Sequence, residues 1–173
     1  MDVLDAIKER RSVREYNDKN VSERDVELLI DAARCAPSAG NIQPWEFVIV
    51  RSIELKQKLS DGALHQKFIQ KAPVIIVVCA DVKRSSKIYG NRGEILYSVQ
   101  DTAAATQNIL LVAQKLGLAT CWVGAFNDNE IAKAVNAPKN VRPVAIIPVG
   151  YPASRPMDKK KRSFNEIVHN ETF

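Results

Sequence analysis

Glycine is scarce in this chain, seven in 173 residues, and none of the seven belongs to a phosphate-cradling loop. No G-x-G-x-x-G follows a candidate strand and no G-x-x-x-x-G-K-[ST] occurs, so neither standard nucleotide-binding loop is present. A bound nucleotide would have to be held by side chains. Cysteine is as sparse. Cys35, Cys79 and Cys121 are an odd number without a C-x-x-C pair, which argues against a disulfide framework or a zinc site. Each sits among small or apolar neighbours and reads as a free buried thiol, which points to a reducing, cytoplasmic setting. The two histidines, His65 and His169, and the lack of a G-x-S-x-G serine offer no hydrolytic constellation. The carboxylates show no metal-ligand spacing. Long apolar runs are missing too: "APVIIVVCA" from Ala72 is far too short to cross a bilayer. The opening "MDVLDAIKER" is an amphipathic helix pattern, without the apolar stretch of a signal peptide.

What remains is an ordinary globular composition, 46% hydrophobic and 26% charged. No linker, repeat or low-complexity tract interrupts it, so residues 1–173 read as one domain able to bury a core. The net charge of +5 is concentrated in "KERRSVR" near the start and "RPMDKKKR" near the end. Such clusters suit nucleic acid or an anionic small ligand, and two so distant in sequence could converge on one phosphate.

Hydrophobic periodicity predicts a helix over about Asp2 to Arg10, with Val3, Leu4 and Ile7 facing inward. Ser22 opens a second helix with Asp25 in capping-box position, a stripe of Val26, Leu29, Ile30 and Ala33, and Pro37 as its stop. "WEFVIVRS" reads as a strand and "SIELKQKL" as a short helix. "PVIIVVCAD" is apolar on consecutive positions, as a strand covered on both faces must be. The longest helix runs from about Leu96 to Leu116 and closes at Gly117; Ala103, Ala104 and Ala105 would allow another element to approach closely. A short strand "ATCWVGA", a helix after Asp128 and a strand "RPVAIIPVGYP" follow. The interleaving predicts mixed α and β around one central sheet.

Three stretches could carry chemistry. In "RRSVR" the guanidinium forks of Arg10, Arg11 and Arg14 match phosphate oxygens, and Ser12 adds a neutral donor. The same cations would also suit the C-terminal end of a helix and solvent. In "PSAGNIQPWEF", Asn41 and Gln43 can each donate and accept hydrogen bonds, which suits a planar heterocycle such as a flavin or pterin. The stretch is also good turn chemistry, with Trp45 in the core. In "CWVGAF", Gly124 at a strand end leaves backbone N–H groups free of side-chain obstruction, or simply makes a turn.

"RRSVREY", "APSAGNIQPWEFVIV", "DTAAATQNILLVAQKLGLATCWVGAF" and "PVAIIPVGYP" occur in this order over nearly the whole chain. Together they closely resemble the nitroreductase family of flavoproteins, particularly its compact members. The resemblance implies an α+β fold, with a central mixed sheet flanked by helices in an intertwined homodimer, and FMN as cofactor. It implies that Arg10, Arg11, Ser12 and Arg14 hold the FMN phosphate. Lys160 and Arg162 would close on it, with Lys159 and Lys161 one position away. Pro37, Ser38, Ala39, Asn41 and Gln43 would pack along the flavin ring of the other subunit. Trp122, Val123, Gly124 and Ala125 would lie beside the ring, with the Gly124 backbone nearest its reactive nitrogen, and Gln66 matches a further ring contact. The implied activity takes hydride from NADH or NADPH and reduces a nitroaromatic, quinone or similar small acceptor, with no metal, nucleic acid or membrane involved and no catalytic side chain. Enone reduction, dehalogenation, flavin destruction or FMN binding without turnover are the alternatives. One segment departs from the pattern: "DVKRSSKIYGNRGE" is short beside members carrying a helical excursion there, and Tyr89, Arg92 and Tyr97 are expected near the mouth of the site.

Overall fold

The computed structural model describes residues 1–154 and 156–173; Arg155, the first residue of the basic run near the end, lies outside them. Helix α1 spans Val3–Glu9 and α2 Glu23–Arg34, followed by a 3-10 turn at Ala39–Asn41 and strand β1, Trp45–Val50. Then come α3 (Ile53–Gly62), α4 (Phe68–Lys71), β2 (Val74–Asp81) and α5 (Val82–Arg92). A π-type turn at Gly93–Tyr97 leads into α6 (Ser98–Lys115), and β3 (Ala119–Thr120), α7 (Asp128–Ala134) and β4 (Val141–Gly150) complete the body.

The sheet order is β1-β2-β4-β3 and every pairing between strands is antiparallel. The sheet is therefore antiparallel and not the mixed one expected; among the described residues the one parallel pairing is an isolated bridge between Ser12 and Thr120, where the segment after α1 runs along the outer side of β3. Its register is fixed by the Val13 N–H donating to the Thr120 carbonyl at 2.9 Å. The β2–β4 ladder shifts register between Val78 and Cys79, where Pro143 stands opposite Cys79. Proline has no N–H to give a ladder and is tolerated at such an irregularity.

Strand β2 is buried throughout from Val74 to Ala80, as its unbroken apolar run requires. Val74, Ile76 and Val78 face a core made with α2 and α6, including Leu29, Ala33, Ala105 and Ile109. Ile75, Val77 and Cys79 face a second core with Leu59, Ile69 and Ile131 from α3, α4 and α7. The helix caps follow the sequence: the Ser22 hydroxyl accepts from the Asp25 N–H at 3.0 Å, and Gly117 leaves α6 with a φ of 72°. No helix among the described residues is long and apolar enough to cross a membrane.

Two further expectations are corrected. Helix α1 buries only Ala6, whereas Val3, Leu4 and Ile7 are 66%, 60% and 51% exposed; the stripe is amphipathic but turns away from its own chain. Cys35 is exposed because it caps α2 beyond the last buried position, while Cys79 and Cys121 are buried. Burial, with Glu46 adding to it, pushes the Cys79 thiol up to about 12. The short segment after β2 forms helix α5, capped by Asp81 and kinked at Gly90. At the other end of the chain residues 157–173 are all exposed, among them Met157, Phe164, Ile167, Val168 and Phe173.

Ile147 is fully buried in the α2/α6 core. Ile147→Ala is expected to cost about 2–4 kcal/mol through lost burial and a residual cavity, read from the urea midpoint at fixed protein concentration.

Candidate functional site

Arg10 ends α1 with a non-helical ψ of 129°, which turns the chain into the Ser12 bridge and sets Arg10, Arg11 and Arg14 around one concavity. That pocket, about 380 Å3, is lined by Arg10, Arg11, Ser12 and Arg14 on one side and by Met157, Asp158, Lys159 and Lys161 on the other. The two basic clusters of the sequence do converge.

Arg11 has a different part in this convergence from the other two arginines. Its guanidinium pairs with Asp158 at 2.7 Å and donates to the carbonyls of Lys8 and Arg10, so it ties the C-terminal segment to the end of α1. Among the described residues neither Arg10 nor Arg14 is paired with a carboxylate, and Arg14 lies over the Phe68 ring at 5.6 Å. Arg14, Arg10 and Ser12 also favour the thiolate of the neighbouring Cys121, but burial outweighs them and its thiol titrates above the ordinary range. Lys160 and Arg162 do not line the pocket; Arg162 donates to the Glu166 carbonyl.

Trp122, Val123, Gly124 and Ala125 follow β3 on the same edge of the sheet. Val123 is buried and exchanges both backbone hydrogen bonds with Ile146 at 3.0 Å. Gln66 donates to the carbonyls of Ala63 at 2.8 Å and Ala125 at 3.0 Å, so it fixes the far end of the segment. Gly124 between them is exposed, and its N–H has no acceptor among the described residues. A Cβ at Gly124 would meet nothing nearer than the Trp122 indole nitrogen at 4.0 Å. At Gly150, by contrast, a Cβ would come within 2.7 Å of Pro73 and 2.8 Å of Tyr16. Packing within the chain therefore demands glycine at 150 and does not demand it at 124.

The family model for the nitroreductase family matches residues 7–66 and 60–151. A protein of Methanothermobacter thermautotrophicus named "Putative NADH dehydrogenase/NAD(P)H nitroreductase" is 41% identical over 160 residues, 90% of this chain and 80% of its own. The chain belongs to the nitroreductase family. The FMN reductase [NAD(P)H] of Bacillus subtilis is 29% identical over 185 residues, covering 99% of this chain and 74% of that protein. A crystal structure from Parabacteroides distasonis, of a protein with the same name as the archaeal relative, superposes with a TM-score of 0.87 at 32% identity and covers 98% of both chains.

The loop from Pro37 to Gln43 lies elsewhere. Within it the Ser38 hydroxyl accepts from the Gln43 N–H at 3.0 Å, and the Gln43 amide donates to the Asn41 side chain at 3.2 Å. Both carboxamides are exposed and joined edge to edge, which leaves the Asn41 NH2 and the Gln43 oxygen for a ligand. Trp45 just beyond it is core. The loop enters β1 beside Ala80, whereas Ser12 is level with Val74 through Thr120 and Val149. Strand geometry separates the two by roughly 20 Å along the strands and roughly 20 Å across them. One chain thus brings together Arg10, Ser12, Arg14, Gln66 and the Trp122–Ala125 segment, and holds Pro37, Ser38, Ala39, Asn41 and Gln43 at the diagonally opposite corner.

Gly124→Ala is expected to keep the stability of the unliganded protein within about 0.5 kcal/mol, while Gly150→Ala loses about 1–3 kcal/mol to overpacking. Thermal melts of the two variants side by side check the contrast.

Proposed function

We propose that the chain is an FMN-dependent oxidoreductase that draws on NADH or NADPH and reduces nitroaromatics, quinones or similar electron-poor small molecules, working as a homodimer. The observation that carries this reading is Gly124: its N–H is uncommitted, the space above it is open, and its neighbours are fixed on both sides. A glycine that neither backbone nor packing requires is explained by something lying on it. A flat ring against Gly124, with Trp122 beside it, would receive the N–H as a hydrogen bond without obstruction.

The cationic pocket fits the other end of the same cofactor. Arg10 and Arg14 would offer charge-assisted donors to a phosphate, Ser12 a neutral one, and Lys159 and Lys161 two more positive charges. Lys159 and Lys161 line this pocket where Lys160 and Arg162 do not, which favours them for this role. Bound FMN would supply the chemistry of hydride acceptance and of electron transfer to the acceptor. The chain's part is to orient the cofactor, to leave one ring face open, and to surround it with positive charge that favours its reduced, anionic form. The donor NAD(P)H has the support of relatives such as the B. subtilis FMN reductase [NAD(P)H], and a nitro acceptor that of relatives named as nitroreductases, such as the M. thermautotrophicus protein.

The homodimer rests on separate observations. A ring-facing loop that stands too far from its own chain's pocket suits the pocket of a second copy. Val3, Leu4 and Ile7 on α1, and Phe164, Ile167 and Val168 on the C-terminal arm, are apolar and exposed in one chain, and a partner would cover them. The outer edge of β1 is likewise unpaired among the described residues. Free thiols suit a cytoplasmic protein of this kind. Enone reduction, dehalogenation, flavin destruction and FMN binding without turnover use the same pocket, and an acceptor panel separates them.

Purified protein should carry FMN or take it up, one per chain, and should oxidise NADH or NADPH when an electron-poor acceptor is added. Arg14→Ala should weaken FMN binding by about 1.5–3 kcal/mol, and Lys161→Ala should weaken it more than Lys160→Ala, measured by quenching of flavin fluorescence. Equal affinity in all three variants and the wild type would mean that the pocket serves another ligand.

A further inference from the structure

The loop that presents Asn41 and Gln43 is not at rest by itself. Gly40, Asn41 and Gln43 have φ of 55°, 56° and 54°, a left-handed conformation that costs free energy for any residue but glycine. Such a turn persists when its surroundings over-determine it. Its internal hydrogen bonds run from the Asn41 N–H to the Ser38 carbonyl at 2.9 Å, from the Ile42 N–H to the Ala39 carbonyl at 3.1 Å, from the Gln43 N–H to the Ser38 hydroxyl and from the Gln43 amide to Asn41, all of them among the loop's own atoms. Three ties come from outside. Arg84 on α5 donates to the Ile42 carbonyl at 2.6 Å, the Tyr89 hydroxyl lies against Gly40, and Asp101 on α6 accepts from the Ala39 N–H at 3.1 Å.

Asp101 differs from the other two. Arg84 and Tyr89 are exposed, whereas Asp101 is only 7% exposed, and its second oxygen is buried with no partner among the described residues. A carboxyl group in that position is costly unless it does something a smaller or apolar residue could not. Nothing within α6 uses it: Thr102 and Thr106 turn their hydroxyls back to helix carbonyls, and its bond to Ala39 spans 62 residues. Burial raises its pKa, against the lowering effect of the Ala39 N–H.

We infer that Asp101 is the positioning residue of the ring-facing loop: its carboxyl, fixed on the longest helix, grips the Ala39 N–H and holds the left-handed turn that presents Asn41 and Gln43. The inference rests on the functional reading above for what the loop faces, and on the geometry alone for the grip.

The test uses three variants. Asp101→Asn keeps an oxygen in place and should bind FMN within about threefold of the wild type. Asp101→Ala removes the acceptor and should raise the FMN dissociation constant about tenfold or more. Ala39→Pro removes the donor from the other side and leaves α6 untouched. It is compatible with the backbone, since Ser38 is extended at φ −141°, ψ 153° and the first residue of a helical turn tolerates proline. If the two groups act as one unit, Asp101→Ala with Ala39→Pro should bind FMN no worse than either alone. Effects that multiply, or an Asp101→Ala protein with wild-type affinity and only a lowered melting temperature, would overturn the inference. Hydrogen exchange of the flavin-free protein reads the grip directly. Amides of residues 39–43 should exchange faster in Asp101→Ala and not in Asp101→Asn, and unchanged exchange in Asp101→Ala contradicts the grip. Faster exchange in a protein whose wild type takes up no FMN would leave the grip standing and refute the flavin reading instead.

Discussion

Ser12 pairs with Thr120 at one corner of the sheet, and Gln43 turns into β1 at the corner diagonally opposite. Four strands at backbone hydrogen-bond spacing cannot be compressed, so this distance is a property of the fold and not of any side chain. It divides the candidate site into a pocket-and-strand half and a loop half. The first half collects cations from both ends of the chain, because Arg11 anchors Asp158 and with it the neighbouring lysines. The second half is a strained turn held from below by a buried carboxyl. Neither half is a complete site for a molecule with a phosphate at one end and a flat ring at the other.

In the proposed homodimer a second copy would join the halves, and the energetics allow it. Burial of one large apolar side chain contributes about 1.5–3 kcal/mol, and at least six such side chains, Val3, Leu4, Ile7, Phe164, Ile167 and Val168, are exposed in the single chain. Their combined burial is on the scale of the freedom lost when two proteins associate. Cofactor and partner would then favour each other by mass action, since a ligand touching both chains stabilises only the assembled form.

Much of this was legible in the sequence. The unbroken run of β2 announced a strand covered on both faces, the Ser22 and Gly117 caps bounded their helices, and four motifs in order identified the family. What was missed has physical reasons. Val3, Leu4 and Ile7 form a correct amphipathic stripe, but periodicity does not say whether the apolar face meets its own chain or another. The three lysines and arginine of "KKKR" carry no phase signal, because the alternation of an extended segment is invisible in a run of like residues. The geometry that brings Lys159 and Lys161 inward is set next door, by the Asp158 ion pair. Cys35 looked buried because its neighbours are small, although its place at a helix cap leaves it outside. Asp101 stands among alanines and threonines, and a lone carboxylate inside an otherwise uncharged helix face is the signal the sequence offers for it.

The claim that one site is built from two chains is tested most directly by mixing two defective proteins. One carries Arg10→Ala with Arg14→Ala and lacks the phosphate grip. The other carries Gly40→Val, whose side chain would collide with the Tyr89 hydroxyl, already 2.6 Å from a Cβ at that position, and so lacks the loop. Each is assayed for FMN at a concentration where neither alone retains it, then both are mixed and allowed to exchange subunits. In a mixed dimer one site combines both defects and the other has an intact pocket and an intact loop. The account predicts recovery of about one quarter of wild-type binding from random pairing of equal amounts. No recovery after verified exchange would show that pocket and loop belong to the same chain's site, contrary to the two-chain assembly.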